Sequence, residues 1–204
     1  ANYFAVVKIV GKASTVSLAD FDDDGDNDML SGDWFGDLQY FENTGNENQA
    51  TFQKANTAFT SISLPSIYSQ PRFLDIDNDN DLDVVSGCLN GKVYAYINNG
   101  SSFSLNSSLF SNIDLPFFSM PTFADIDADG DVDLLIGSEG ASDNGFYEND
   151  GSNNFTLNNS FLSGISLPSN SYPTLTDLDN DGDYDLVIGR SSGKINYYTN
   201  TGTA

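Results

Sequence analysis

Short apolar runs and alternating stretches divide the chain into pieces of strand length. Leu186-Val187-Ile188, closed by Gly189, is a brief continuous apolar run of the kind that forms a strand covered on both faces. Lys194-Ile195-Asn196-Tyr197-Tyr198 follows as an alternating segment, and Phe-x-Leu segments such as Phe103-Ser104-Leu105 and Phe155-Thr156-Leu157 predict a further short strand. Proline-containing linkers (Leu64-Pro65, Leu115-Pro116, Leu167-Pro168) lead into the next strand. No window keeps a 3.6-residue apolar period over a helical length, so no α-helix is predicted.

The pieces recur. DFDDDGDNDMLSG from Asp20, DIDNDNDLDVVSG from Asp75, DIDADGDVDLLIG from Asp125 and DLDNDGDYDLVIG from Asp177 align at spacings of 55, 50 and 52 residues. Pro71, Pro121 and Pro173 each stand four residues before the first Asp, with Val16 at that place in the first unit. Downstream, Tyr40-Phe41-Glu42-Asn43, Tyr96-Ile97-Asn98, Phe146-Tyr147-Glu148-Asn149 and Tyr197-Tyr198-Thr199-Asn200 keep register. A unit of roughly 50 residues holds about four strands of 5–6 residues with short turns, which is the arithmetic of a propeller blade. A β-solenoid has shorter coils. The expectation is an all-β, β-propeller-type repeat protein of four blades, each of about four antiparallel strands, in a single domain over residues 1–204.

The polar signal lies between the strands. Of 30 acidic residues, 21 fall in the four loops, where carboxylates this dense repel one another unless a cation sits among them. Asp20, Asp22, Asp24 and Asp28 occupy positions 1, 3, 5 and 9 of the first loop. Asp75, Asp77, Asp79 and Asp83, then Asp125, Asp127, Asp129 and Asp133, and finally Asp177, Asp179, Asp181 and Asp185 repeat that spacing. Each set offers four hard oxygen ligands, and the backbone carbonyl at position 7 (Asp26, Asp81, Asp131, Asp183) supplies a fifth. Ca²⁺, which takes 6–8 oxygens in flexible geometry, suits such a loop better than Mg²⁺, so about four Ca²⁺ per chain are expected. Position 6 needs positive φ and is Gly25, Gly130 and Gly182, with Asn80 in the second loop. An EF-hand is excluded, because position 12 holds Ser31, Ser86, Ile136 and Ile188 where that loop needs a bidentate Glu.

A DxDxDGDxD loop followed by an apolar strand and Gly resembles the FG-GAP/VCBS repeat, found in the propellers of integrin α-subunits, in some fungal lectins and in many secreted proteins. The resemblance covers all four units and implies calcium held by the aspartates named above with the position-7 carbonyls. Propellers of that family usually close with seven or eight blades, whereas four units are present here. The Phe-Gly and Gly-Ala-Pro pieces of the integrin repeat are absent, so integrin-type ligand binding does not carry over.

Composition narrows the function. The chain has no His, which removes Ser-His-Asp, Cys-His and His-zinc chemistry. Seven basic residues and a net charge of −23 argue against nucleic acid and anionic membranes as partners. No run is long and apolar enough for membrane insertion. Ala1 begins without a basic or apolar leader, so any secretory signal is expected to be already removed. The lone Cys88 reads as a small buried apolar residue. The acids outside the loops form no recurring pair, so no enzyme is expected. Trp34 is the best candidate for stacking on a sugar, with packing between blades as its alternative role, but its counterparts Asn90-Gly91, Gly140-Ala141 and Ser192-Gly193 are small, which argues against a pocket repeated in every blade.

Four sequons, at Asn99, Asn106, Asn154 and Asn158, point to an extracellular or cell-surface glycoprotein. Asn106 and Asn158 each lie three residues after the Phe of Phe-x-Leu, a place expected on the outer strand. The reading is a non-catalytic structural or adhesion module, with a carbohydrate-binding lectin as its rival. Its partner is a protein or glycan ligand, or a second copy in a ring or filament. Residues 1–10 are expected to supply a strand that completes the last blade, in the same chain or a neighbouring one.

Overall fold

The structure, a computed structural model, describes residues 12–55, 58–140, 144–165 and 167–202. Among the described residues fifteen strands fall into four antiparallel sheets, and the protein is a four-bladed β-propeller. Blade 1 contains β1 (Thr15–Ala19), β2 (Asp28–Gly32), β3 (Leu38–Asn43) and β4 (Phe52–Lys54). Blade 2 contains β5 (Gln70–Leu74), β6 (Asp83–Gly87), β7 (Val93–Asn98) and β8 (Phe103–Asn106). Blade 3 contains β9 (Met120–Ala124), β10 (Asp133–Gly137), β11 (Gly145–Asn149) and β12 (Phe155–Leu157). Blade 4 contains β13 (Ser171–Thr176), β14 (Asp185–Arg190) and β15 (Ile195–Tyr198), in that spatial order. Among the described residues it has three strands rather than the expected four. The expectation for residues 1–10 lies outside the described residues.

Each strand pairs with its sequence neighbour, so every blade is a meander and the acidic loop joins its first strand to its second. β6 and β10 are buried along their whole length because blades cover both of their faces, which is why they read as runs rather than alternations, and β2 is buried along its length as well. Pro71, Pro121 and Pro173 lie in β5, β9 and β13, each paired on one side only. A proline on an edge strand forfeits no ladder bond.

The core is a series of inter-blade layers. Leu30 and Tyr40 of blade 1 pack with Val84 and Tyr96 of blade 2, Val85 and Ala95 with Leu134, Ile136 and Tyr147, and Leu135 and Phe146 with Leu186 and Ile188. Cys88 is buried as expected, and burial pushes its thiol pKa up to about 12. The only helical segment among the described residues is a 3-10 turn, Ala58–Ser61, so none is long and apolar enough to cross a membrane.

Candidate metal centre

Each acidic loop is shaped by its own aspartates before any ion is considered. The position-1 carboxylate accepts from backbone N–H groups across the turn: Asp24 and Gly25 donate to Asp20 at 3.1 and 3.0 Å, Asp79 and Asn80 to Asp75 at 3.1 and 3.0 Å, Gly130 to Asp125 at 3.1 Å, and Gly182 to Asp177 at 3.1 Å. Position 5 accepts from the N–H of position 7, with Asp26, Asp81, Asp131 and Asp183 donating to Asp24, Asp79, Asp129 and Asp181 at 2.9–3.1 Å. Position 6 has the expected positive φ, 95° at Gly25, 72° at Asn80, 97° at Gly130 and 99° at Gly182. Position 4 also takes the left-handed conformation, at Asp23, Asn78, Ala128 and Asn180, which the spacing did not reveal. Three of those four residues are Asp or Asn, whose short polar side chains tolerate it.

Position 9 anchors the loop to the sheet. Asp28, Asp83, Asp133 and Asp185 are buried. One oxygen of each accepts from the N–H of position 2 (Phe21 3.3 Å, Ile76 3.0 Å, Ile126 3.1 Å, Leu178 2.9 Å). The other accepts from the Asn at the end of the third strand or just beyond it (Asn43 2.7 Å, Asn98 2.7 Å, Asn149 3.0 Å, Asn200 2.7 Å). The Asn side chains are used separately: Oδ1 of Asn43, Asn98 and Asn200 accepts from the N–H two residues on at 3.1, 3.0 and 3.0 Å, and Nδ2 of Asn98 and Asn149 donates to the carbonyl just before position 9, both at 3.2 Å. In blade 1, Tyr40 Oη also donates to Asp28 at 2.6 Å, and burial together with that carboxylate raises the phenol pKa.

The carboxylates converge as the spacing requires, with a distinction among positions. In loops 2, 3 and 4, positions 1, 3 and 9 (Asp75, Asp77, Asp83; Asp125, Asp127, Asp133; Asp177, Asp179, Asp185) bring ligand oxygens within 4.8 Å of one another. In loop 1 the close set is Asp20, Asp22 and Asp24. Asp79, Asp129 and Asp181 stand outside these triads, as does Asp28.

Oxygen donors alone, clustered in threes, could hold a hard divalent cation. Asp125 Oδ1, Asp127 Oδ1 and Asp26 Oδ1 are buried without a hydrogen-bond partner, an arrangement that a cation would relieve. The electrostatics agree. Burial raises the carboxyl pKa of Asp22, Asp77 and Asp127, and neighbouring aspartates add to it. Burial pushes Asp83 and Asp133 up to about 6, against the opposing pull of their two backbone N–H bonds. A divalent ion reverses this, because its charge favours the ionised form.

The end of the propeller away from the loops carries a feature that aligning equivalent positions did not show. Trp34, in the turn after β2, meets Tyr68 edge-on at a 5.3 Å centroid distance, and Tyr68 meets Phe118 edge-on at 4.7 Å. Tyr68 and Phe118 precede β5 and β9 and hold φ of 63° and 48°, unusual for bulky side chains. Inter-blade hydrogen bonds fix them there, Tyr68 N to Trp34 O and Phe118 N to Leu89 O, both at 3.0 Å. The legible signal was an aromatic seven residues before the first Asp in two successive units.

The FG-GAP-like repeat matches this chain three times, over residues 20–86, 75–136 and 125–188. Together these matches span the four acidic loops, and the chain belongs to the FG-GAP-like repeat family. No curated protein matches the chain.

Proposed function

We propose that this member of the FG-GAP-like repeat family is an extracellular, calcium-stabilised structural or adhesion module that catalyses nothing and self-associates. The observation that carries the reading is the acidic loop present in every blade, whose position-9 aspartate binds the loop to the third strand while positions 1 and 3 converge. Calcium at such a site ties the first two strands of a blade to each other and to the third. It acts as a rivet and has no helix pair to open. The carboxylates suited to acid–base work are held in these loops, and the chain has no His to serve as a base.

Carbohydrate recognition is the second reading, and the edge-to-face run Trp34–Tyr68–Phe118, with Trp34 exposed and the other two half-buried, is what favours it. A glycan array probed with the calcium-loaded protein separates the two. The structural module gives no sugar-specific signal. Robust binding that is lost in Trp34→Ala and Tyr68→Ala makes the protein a lectin instead.

Glycosylation belongs to the same reading. Asn106 closes β8, an outer strand, and Asn158 follows β12 at the matching place. Asn106 Oδ1 accepts from Ser108 N and Oγ, at 3.2 and 2.8 Å, and its Nδ2 has no acceptor among the described residues. The other three sequon amides donate within the fold. Asn99 Nδ2 reaches Ile97 O, Ser102 O and Ser104 Oγ, Asn154 Nδ2 reaches both oxygens of Asp150, and Asn158 Nδ2 reaches Glu148 at 2.7 Å. Asn106 also borders a groove of about 570 Å³ between blades 2 and 3, with Asn112 and Asn154 on its other side. Protein from a eukaryotic source is expected to carry a glycan at Asn106 and none at Asn99. Intact-mass and peptide mass spectrometry before and after glycosidase check this, and a single unmodified mass sinks it.

A further inference from the structure

Blades 1 and 2 meet at a space closed by rings. Phe21, at position 2 of the first loop, contacts Tyr40, Phe59, Phe73 and Phe103 at centroid distances of 4.9–6.2 Å. Blades 2 and 3 repeat part of that cluster. Phe110 lies 5.0 Å from Phe155 and 6.1 Å from Phe123, as Phe59 lies 4.9 Å from Phe103 and 6.0 Å from Phe73. The other two ring positions hold smaller residues. Ile76 takes the place of Phe21, and Ala95, paired with Val85, takes the place of Tyr40, paired with Leu30. The groove of about 570 Å³ opens here, with Ile76 among its walls.

Asn106 is aimed into that space by register. It stands opposite Ala95 in the β7–β8 pair and so shares the face turned to blade 3, whereas Phe103 turns to blade 1. Asn158, the matching residue of blade 3, stands instead beside the ring of Phe146, and its amide is held by Glu148 at 2.7 Å. The counterpart of Glu148 in blade 2 is Ile97, which cannot accept, and this is why the amide of Asn106 is left without an acceptor among the described residues.

The lining suits a neutral, hydroxyl-rich ligand. Ser111, Ser152 and Thr156 bring hydroxyls, Asn112 and Asn153 bring amides, and Leu109 adds apolar surface. Asn112 Nδ2 donates to Phe155 O at 2.7 Å, which leaves its Oδ1 to accept from a ligand. The charged lining side chain is Asp77 alone, an acid in a chain of net charge −23, which disfavours an anion. The volume falls within the roughly 300–1,000 Å³ of small-molecule sites, room for about two sugar rings.

We infer that this groove holds the first sugars of a glycan carried by Asn106 of the same chain, so that the glycan joins blade 2 to blade 3. The tether selects this occupant over a free sugar, because a ligand attached at the rim meets the groove at an effective concentration on the order of millimolar. The inference rests on the glycosylation reading given above.

Protein secreted by a eukaryotic host, calcium-loaded, tests it through two readouts. The first is endoglycosidase cleavage between the two core N-acetylglucosamine units, followed at Asn106 by peptide mass spectrometry. Native protein should release this glycan at least roughly tenfold more slowly than denatured protein, because cleavage has to wait for the sugars to leave the groove. The second is melting. Asn106→Gln should melt roughly 3–6 °C below wild type from the same host, since it loses the hydrogen bonds between glycan and groove. Ile76→Phe copies blade 1 and fills the groove, so native release from that variant should come within about twofold of the denatured rate. Equal release from native and denatured wild type, equal melting of wild type and Asn106→Gln, or protection that survives Ile76→Phe overturns the inference. Should Ile76→Phe not fold, the readouts on wild type and Asn106→Gln decide. Asn106 found without a glycan overturns the inference together with the glycosylation reading, whereas an occupied Asn106 whose glycan is unprotected overturns the inference alone.

Discussion

Chelation is expected to lower the melting temperature of the protein by roughly 10–20 °C. Ions that bind only the folded state stabilise it by mass action, about 1.4 kcal/mol per site when the free ion stands at about ten times the dissociation constant. That ratio corresponds to about 1 mM Ca²⁺ and a dissociation constant near 10⁻⁴ M, the tight end of the range for extracellular modules. Four clusters then supply about 5–6 kcal/mol. A chain of this size gains about 2–4 °C per kcal/mol. Electrostatics act in the same direction, because four Ca²⁺ bring the formal charge from −23 to −15 and remove the repulsion inside each loop. Calorimetry with and without chelator, with metal analysis of the purified protein, checks this. Absence of bound calcium, or an unchanged melting temperature, removes the metal from the account of stability.

The second large effect is expected at position 9. Asp133→Ala should cost about 3–5 kcal/mol and one bound ion. Asp133 is fully buried, and its oxygens accept from Ile126 N at 3.1 Å and Asn149 N at 3.0 Å. Truncation strands both donors, at about 1–3 kcal/mol each, and breaks the triad with Asp125 and Asp127. Asp129→Ala should cost about 1–2 kcal/mol, because position 5 lies outside the triad and gives up only its bond from Asp131 N and whatever ligation it adds. Asp23→Ala should stay within about 0.5 kcal/mol. Asp23 is exposed at φ 59°, and loop 3 already places Ala128 in the same conformation at φ 60°. Denaturant unfolding in saturating calcium, with ion counts per chain, ranks the three. Equal losses for Asp23→Ala and Asp133→Ala would refute the role given to position 9.

The acidic loops were legible because the interactions that shape them are local. Position 1 binds the N–H groups four and five residues on, and position 5 binds the N–H two residues on, so a pattern within nine residues contains the turn. Strand assignments held for a related reason. A run of apolar residues closed by Gly, as in Leu134-Leu135-Ile136-Gly137, satisfies burial on two faces and close passage of the next chain at once. Which carboxylates converge was less legible. Positions 5 and 9 look alike in sequence, and only the third strand, whose Asn149 N–H reaches Asp133, distinguishes them.

By itself, then, the sequence determined the number of blades, their order, the loop conformation and the oxygen-rich ligand set, because each rests on contacts within one repeat. The tertiary structure decided what depends on one repeat meeting another. It joined Trp34, Tyr68 and Phe118 into one aromatic run, although they lie in three separate connections and Trp34 aligns with small residues when repeats are compared. It also set Gly87 against Ser119 of the next blade, whereas the nearest atoms described around Gly189 are those of Tyr172 in its own blade. Repeat periodicity makes all junctions look equivalent. Whether a given face is covered depends on how the chain travels around the propeller, and that path is set by packing between blades rather than by any segment's own preference.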